Sequence, residues 1–175
     1  QLLVIRNGDL SVPAFDVVGH RDVLRSAWRH LTQGGAARVG RDSWDVLRVE
    51  AGRPDYLTEL ADEIIPVEAG IHDRAIDYDK GCYTGQEVIV RIRDRGRVNR
   101  SLRRLRLDID APLPEAGTEL FRERDRPVGH LTSVADSPRE GKLALAYVRR
   151  EVEAGQTVHV GALDGPRARV EELEV

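Results

Sequence analysis

Hydrophobic and polar positions follow two different periods along the chain. In residues 21–32, RDVLRSAWRHLT, the apolar positions Val23, Leu24, Ala27, Trp28 and Leu31 repeat with the spacing of an amphipathic helix, which the Gly34-Gly35 pair should stop. Before it, LLVIRNGDLSVPAFDVVG reads as an extended run, a turn at Asn7-Gly8 and a second strand around Ala14–Val18. SWDVLRVEAG then predicts a short helix or strand. A loop containing Pro54 and an acidic stretch lead on to IIPVEAG at 64–70. From about Leu102 the period becomes two. LRRLRLDID alternates, and turn signals recur at Pro112–Gly117, Arg124–Pro127, Asp136–Gly141, Gly155 and Gly165. The intervening ELFRE, VGHLTSVA, LALAYVRR, TVHVGAL and ARVEELEV predict short strands of a small antiparallel barrel or sandwich. The change of character falls near 98–102, and the sequence reads as free of repeats and low-complexity segments.

Composition narrows this picture. At 175 residues and 41% hydrophobic, the chain can bury one or two small cores. A net charge of −3 gives no global nucleic-acid or membrane signature, and no apolar run approaches a bilayer span. The single cysteine excludes an internal disulfide framework and fits a reducing, cytoplasmic setting. His20, His30, His72, His130 and His159 lack ligand spacing, so no metal site is expected. The chain starts at Gln1 and holds no methionine, which predicts that it is part of a longer product.

The chemistry concentrates in KGCYTGQEV, residues 80–88. Only two lysines stand among the 27 basic residues, yet Lys80 lies two positions from the sole cysteine, Cys82. A compact ammonium there favours a thiolate. Thr84-Gly85-Gln86-Glu87 fits a capping box, and a helix starting there turns its positive dipole end toward Cys82. EVIVRIR is also rich in β-branched residues and reads equally as a strand, in which case only the lysine remains to activate the thiol. The alternative is a small buried cysteine beside a solvated lysine. Downstream, RIRDRGRVNRSLRRLR at 91–106 carries eight arginines against one acid. It reads either as a solvated face paired with acids elsewhere or as an anion site for a polyanionic tail or RNA backbone. The lack of aromatics counts against base stacking.

KGCYTGQEV, preceded by LRVEAGRP at 47–54 and IIPVEAG at 64–70 and followed by RGRVNRSLRRL and VGHLTSVADSP, resembles the YgfZ-type folate-binding proteins of the YgfZ/GcvT family, relatives of the glycine-cleavage T-protein. The resemblance implies an α+β fold. Residues 1–99 would be the C-terminal portion of an incomplete GcvT-like folate-binding α/β domain, and residues 100–175 a C-terminal antiparallel β-barrel. It implies tetrahydrofolate as cofactor, with Glu50 accepting the pterin edge, Glu68 in support, and Tyr83 and Gln86 in the binding signature. Cys82 would then be the reactive thiol and Lys80 its tuning charge. The implied role is an accessory one in iron–sulfur cluster maintenance, with an indirect effect on tRNA modification. The alternative is a tetrahydrofolate-dependent aminomethyltransferase. Implied partners are the folate itself, iron–sulfur client proteins and a second chain supplying an N-terminal half. RNA is a weaker expectation, and no membrane is expected.

Overall fold

The structure, a computed structural model of the 175-residue chain, describes every residue except 9, 97, 109, 111, 112, 124, 125, 174 and 175, and omits the side chains of 93–95. Pro112 and Arg124, the starts of two predicted turns, therefore lie outside the described residues, as do Arg97 and the side chains of Arg93, Asp94 and Arg95 in the arginine-rich stretch.

Strands β1 (Leu2–Asn7) and β2 (Ala14–Gly19) form a two-stranded antiparallel sheet in which Asn7 faces Ala14. Helix α1 (Arg21–Gln33) follows and ends where the glycine pair predicts, with Gly34 as its C-cap and Gly35 at positive φ. The ambiguous SWDVLRVEAG is a helix, α2 (Arg41–Glu50). After a run of turns come α3 (His72–Ala75) and α4 (Gln86–Arg95). Six strands complete the chain: β3 (Arg100–Asp108), β4 (Glu119–Phe121), β5 (Gly129–Ser137), β6 (Gly141–Arg149), β7 (Thr157–Val160) and β8 (Arg167–Glu171). They close in the order β3-β6-β5-β4-β7-β8, a barrel and not a sandwich, so no strand edge is left open.

β6 explains how the two regimes join. Its Ala144, Ala146 and Val148 point into the barrel beside Leu105, Leu120, Leu131 and Val170. Its Leu143, Leu145 and Tyr147 point outward and are equally buried, because α2 covers them through Val49. LALAYV thus looks like a continuous apolar run because both of its faces are covered. Small residues inside and large ones outside suit a narrow barrel interior.

α2 meets the barrel with charge as well as apolar surface. Arg48, Glu50 and Glu59 are 4%, 2% and 0% exposed, so each needs a full set of partners. Arg48 donates to Glu59 Oε2 at 2.9 Å, to Ser133 Oγ at 2.8 Å and to Asp45 Oδ1 at 3.1 Å. Ser133 donates in turn to Glu59 Oε1 at 2.5 Å, and the Asp55 amide donates to Glu59 Oε2 at 2.9 Å. A register shift between Leu131 and Ser133 brings Ser133, Ala135 and Ser137 to the α2 side of β5.

The hairpin and α1 contrast with this. No residue of α1 is buried, and Trp28 and Leu31 are 55% and 56% exposed. Phe15 on β2 is 62% exposed, and Leu3 and Val4 on β1 also lie open. A two-stranded sheet of this kind gains little stability alone.

Replacing Arg48 by Met strands the Glu59 carboxylate and should lower unfolding stability by roughly 3–5 kcal/mol, while the double variant R48M/E59L should recover most of that loss. Urea midpoints of the three proteins check this. A fully additive double variant contradicts the pairing.

Candidate functional site

The string VEAG occurs twice, at 49–52 and 67–70, and the structure gives both copies the same shape. In each, the chain ends a turn of helical backbone with a glycine at positive φ, 67° at Gly52 and 70° at Gly70. In the first copy Arg53 N–H bonds to Arg48 C=O at 2.8 Å and Gly52 N–H to Val49 C=O at 3.0 Å. In the second, Ile71 N–H bonds to Pro66 C=O at 3.1 Å and Gly70 N–H to Val67 C=O at 3.3 Å. These are paired Schellman closures, and a left-handed residue is what each requires. A Cβ at Gly52 would also overlap the Leu173 side chain.

Both corners dock on β3 through the backbone carbonyl of their glutamate. Glu50 C=O accepts from the Arg104 guanidinium, and Glu68 C=O accepts from Leu102 N–H at 2.7 Å. Both carboxylates are buried against a barrel arginine. Arg100 Nε donates to Glu68 Oε2 at 3.2 Å, and its guanidinium lies 5.3 Å from the centre of the Tyr147 ring. Arg139 donates to both Glu50 oxygens, Ser137 to Oε1, and Ser11 from the β1–β2 loop to Oε2 at 3.0 Å. Burial pushes the Glu50 carboxyl up, but the bonds from Arg139, Ser137 and Ser11 outweigh it and hold Glu50 below its ordinary value. Ser137 also accepts from the Arg139 and Glu140 amides at 3.0 and 2.9 Å, so the SPREG turn and the Glu50 contact form one unit.

Glu50 borders a cleft of about 460 Å³ between the β1–β2 loop and the barrel, with Ser11, Arg53, Arg74, Arg104 and Glu140 on its walls. Glu68 borders a different cleft, of about 640 Å³, with Arg100, His130 and Tyr147. The two glutamates predicted to act together are thus built alike and open onto separate spaces. Sequence reasoning missed Ser133, Ser137, Arg100 and Arg139. Two serines four residues apart in a strand are a legible signal for two polar partners on one face, and the recurrence of VEAG is a second one.

KGCYTGQEV lies in a surface loop and in the first turn of α4. Cys82 is exposed and free. Asp77 Oδ1 accepts from the Asp79 and Lys80 amides at 2.9 and 3.2 Å and shapes the approach. The Lys80 ammonium lies 4.7 Å from the centre of the Tyr83 ring, so its ordered contact is with the ring. The helix reading of EVIVRIR holds, but the capping box does not form. Gly85 occupies the cap position in a left-handed conformation, without a side-chain cap, which displaces Thr84 from that role. Glu87 reaches forward along the helix to Arg91 at 2.8 Å. Among the described residues, no hydrogen bond or ion pair ties 80–87 to Glu50 or Glu68.

The described arginines of 91–106 are paired with acids. Arg104 and Arg106 each bond Glu171 and contact Glu140, Arg103 lies 3.7 Å from Glu172, and Arg100 takes Glu68. The described arginines of β3 therefore form a largely neutralised strand face. No helix is long and apolar enough to cross a membrane among the described residues.

Because its folded value is lowered, Glu50 adds stability at pH above its ordinary 4.5, and this is lost as pH falls through the lowered folded value. Glu50→Gln should therefore be less stable near neutral pH and show a shallower loss on acidification. Urea midpoints along a pH series check both signs, and parallel acid limbs would contradict them.

Comparison with known proteins fits this architecture. Residues 100–173 match the glycine cleavage T-protein C-terminal barrel domain. A chloroplast protein of Arabidopsis thaliana named as a transferase is 34% identical over 138 residues, covering 78% of this chain and 31% of that protein. An aminomethyltransferase of Rubrobacter xylanophilus is 33% identical over 156 residues, 89% of this chain and 41% of that one. The crystal structure of the glycine cleavage system aminomethyltransferase T from Bartonella henselae superposes with a TM-score of 0.84 at 22% identity, over 98% of this chain and 49% of that chain. The chain thus spans less than half the length of these relatives. Residues 100–173 are thus a barrel of the glycine-cleavage T-protein C-terminal type, and the chain as a whole is similar to part of the aminomethyltransferases.

Proposed function

We propose that this chain forms the C-terminal part of a tetrahydrofolate-binding protein, with residues 1–99 completing a folate-binding α/β domain and residues 100–175 forming the barrel. The cleft below the β1–β2 loop is the folate contact we favour. Its lining sets Arg53, Arg74 and Arg104 among Glu50, Glu140 and Glu172, so a folate carboxylate takes a guanidinium there by displacing an acid, as Glu140 from Arg104. At Glu50 the fit is conditional. Arg139, Ser137 and Ser11 already engage the carboxylate, so a pterin edge reaches it only by taking an oxygen from Arg139 or Ser11. The exposed apolar side of the hairpin and α1 is the surface we assign to an N-terminal half of the fold. That half corresponds to the part of the longer relatives this chain does not span.

The role we favour is an accessory one in iron–sulfur cluster maintenance in the cytoplasm, with its effect on tRNA modification an indirect consequence. One observation carries it: the sole thiol, Cys82, stands exposed in the KGCYTGQEV loop, where a client protein can reach it. One thiolate is too few to hold a cluster, so Cys82 acts as a redox or transfer thiol or as one shared ligand. The second reading is a tetrahydrofolate-dependent aminomethyl transfer, favoured by the names of the relatives. That reaction leaves Cys82 without a task.

Tetrahydrofolate binding by equilibrium dialysis, on this chain and on a longer protein containing it, tests the common part; no saturable binding to either would sink both readings. Cys82→Ser separates them. It should leave folate binding unchanged and abolish support of an iron–sulfur enzyme in cells, whereas under the transferase reading one-carbon transfer persists and the cellular support is not lost. Arg139→Ala addresses Glu50 in particular. If Glu50 takes the pterin, this variant binds tetrahydrofolate at least as tightly as the parent despite lower stability. If affinity falls with stability, Glu50 has no part in the site.

A further inference from the structure

A separate cavity of about 710 Å³ opens between the α3–α4 segment and the barrel, at the β3 and β6 strands and the turn after β6. Its size is that of a small-molecule site. Val67, Ile92, Val98 and Val152 give it apolar walls. His72 and Arg103 both line it, and both carry a defect. His72 Nδ1 and Arg103 Nε are buried and have no hydrogen-bond partner among the described residues. Native structures seldom leave such atoms orphaned; Arg103 Nε is always a donor and calls for an acceptor, as does His72 Nδ1 when it carries the ring proton.

The rest of each side chain is weakly held. Arg103 Nη1 lies 3.7 Å from Glu172, a residue 76% exposed, and His72 Nε2 lies 3.6 Å from the exposed Asp73. Arg103 therefore contrasts with its strand neighbours Arg104 and Arg106, which reach Glu171 at 2.8 and 2.9 Å. Arg149 and Arg150 add positive charge at the rim against Glu153 and Glu172, so the lining is cationic before His72 is considered.

We propose that this cavity binds a small amphipathic organic carboxylate. The carboxylate takes the edge of the Arg103 guanidinium formed by Nε and one Nη, a bidentate geometry that arginine offers and lysine does not. A turn of the guanidinium exposes the covered Nε to the ligand. His72, its ring turned likewise and its proton on Nδ1, donates to the same group, and the apolar body lies against Val98, Val152 and Ile92. The cavity shares Glu172 with the Glu50 cleft but none of its arginines, so the site stands independently of the folate reading.

The test is a titration of the full 175-residue chain with benzoate, followed through the arginine Nε–H and histidine ring signals by NMR. Benzamide serves as the neutral shape match and inorganic phosphate as the bare anion. The expected result is a saturable shift of Arg103 Nε–H, His72 and the valine methyl groups of the cavity with benzoate. Benzamide and phosphate should bind about tenfold more weakly or less. Arg103→Met should weaken benzoate by about tenfold or more, and His72→Gln, which leaves β3 untouched, by several-fold. The proposal is overturned if benzoate leaves Arg103 Nε–H unmoved. Equal responses to benzoate and phosphate without methyl shifts, which mark a general cationic surface, also overturn it. Should Arg103→Met fail to fold, an unchanged benzoate affinity in His72→Gln overturns the two-donor site.

Discussion

Two glutamates buried at chain corners tie the end of α2 and the 67–70 turn to the barrel. Glu50 and Glu68 each stand second in a VEAG string, two residues before a left-handed glycine, and each press a carboxylate against an arginine of the barrel. A carboxylate removed from water is tolerable only with such partners. The cost of losing them falls on both sides of the junction. Arg139 belongs to the β5–β6 turn and Arg100 to the start of β3, so the corners and the barrel are held in one register. The Arg48–Glu59–Ser133 cluster adds a third point on the same face and shares β5 with the Glu50 contact.

The proposed function draws on this placement. The corners leave clefts beside them, and one arginine on each cleft wall, Arg104 and Arg100, also builds the junction. Arg104 holds the Glu50 carbonyl, binds Glu171 and lines the Glu50 cleft. A ligand with carboxylates entering there meets groups already ordered by the fold, which lowers the entropic cost of binding. The exposed thiol lies outside this framework, in a loop shaped by Asp77 and by the Lys80–Tyr83 contact. The proposed function thus assigns binding and thiol chemistry to separate parts of the chain.

The barrel was legible because alternation and turn residues are local signals. β3 through β8 fall where LRRLRLDID and the five strand-like segments predict them. α1 was equally legible, from its period and its glycine stop. The SWDVLRVEAG stretch was ambiguous, since its helix is fixed by packing Val49 on β6 and not by propensity. The Thr84 capping box failed for a local reason, because Gly85 enters the left-handed region at the cap position itself. The partners of the buried charges were invisible to sequence: Arg48 and Ser133 are 85 residues apart, and Glu50 and Arg139 are 89 apart. Such pairs are set by topology, and only the topology displays them.

Native-state hydrogen exchange addresses the junction most directly. If the buried carboxylates tie the corners to the barrel, the amides of Gly52 and Gly70 should exchange only when the β6 amides do, through the same global opening and with the same denaturant dependence. Exchange of the corner amides through a smaller, separate opening, while β6 stays protected, would show that the two parts are stable independently. That result would contradict the account.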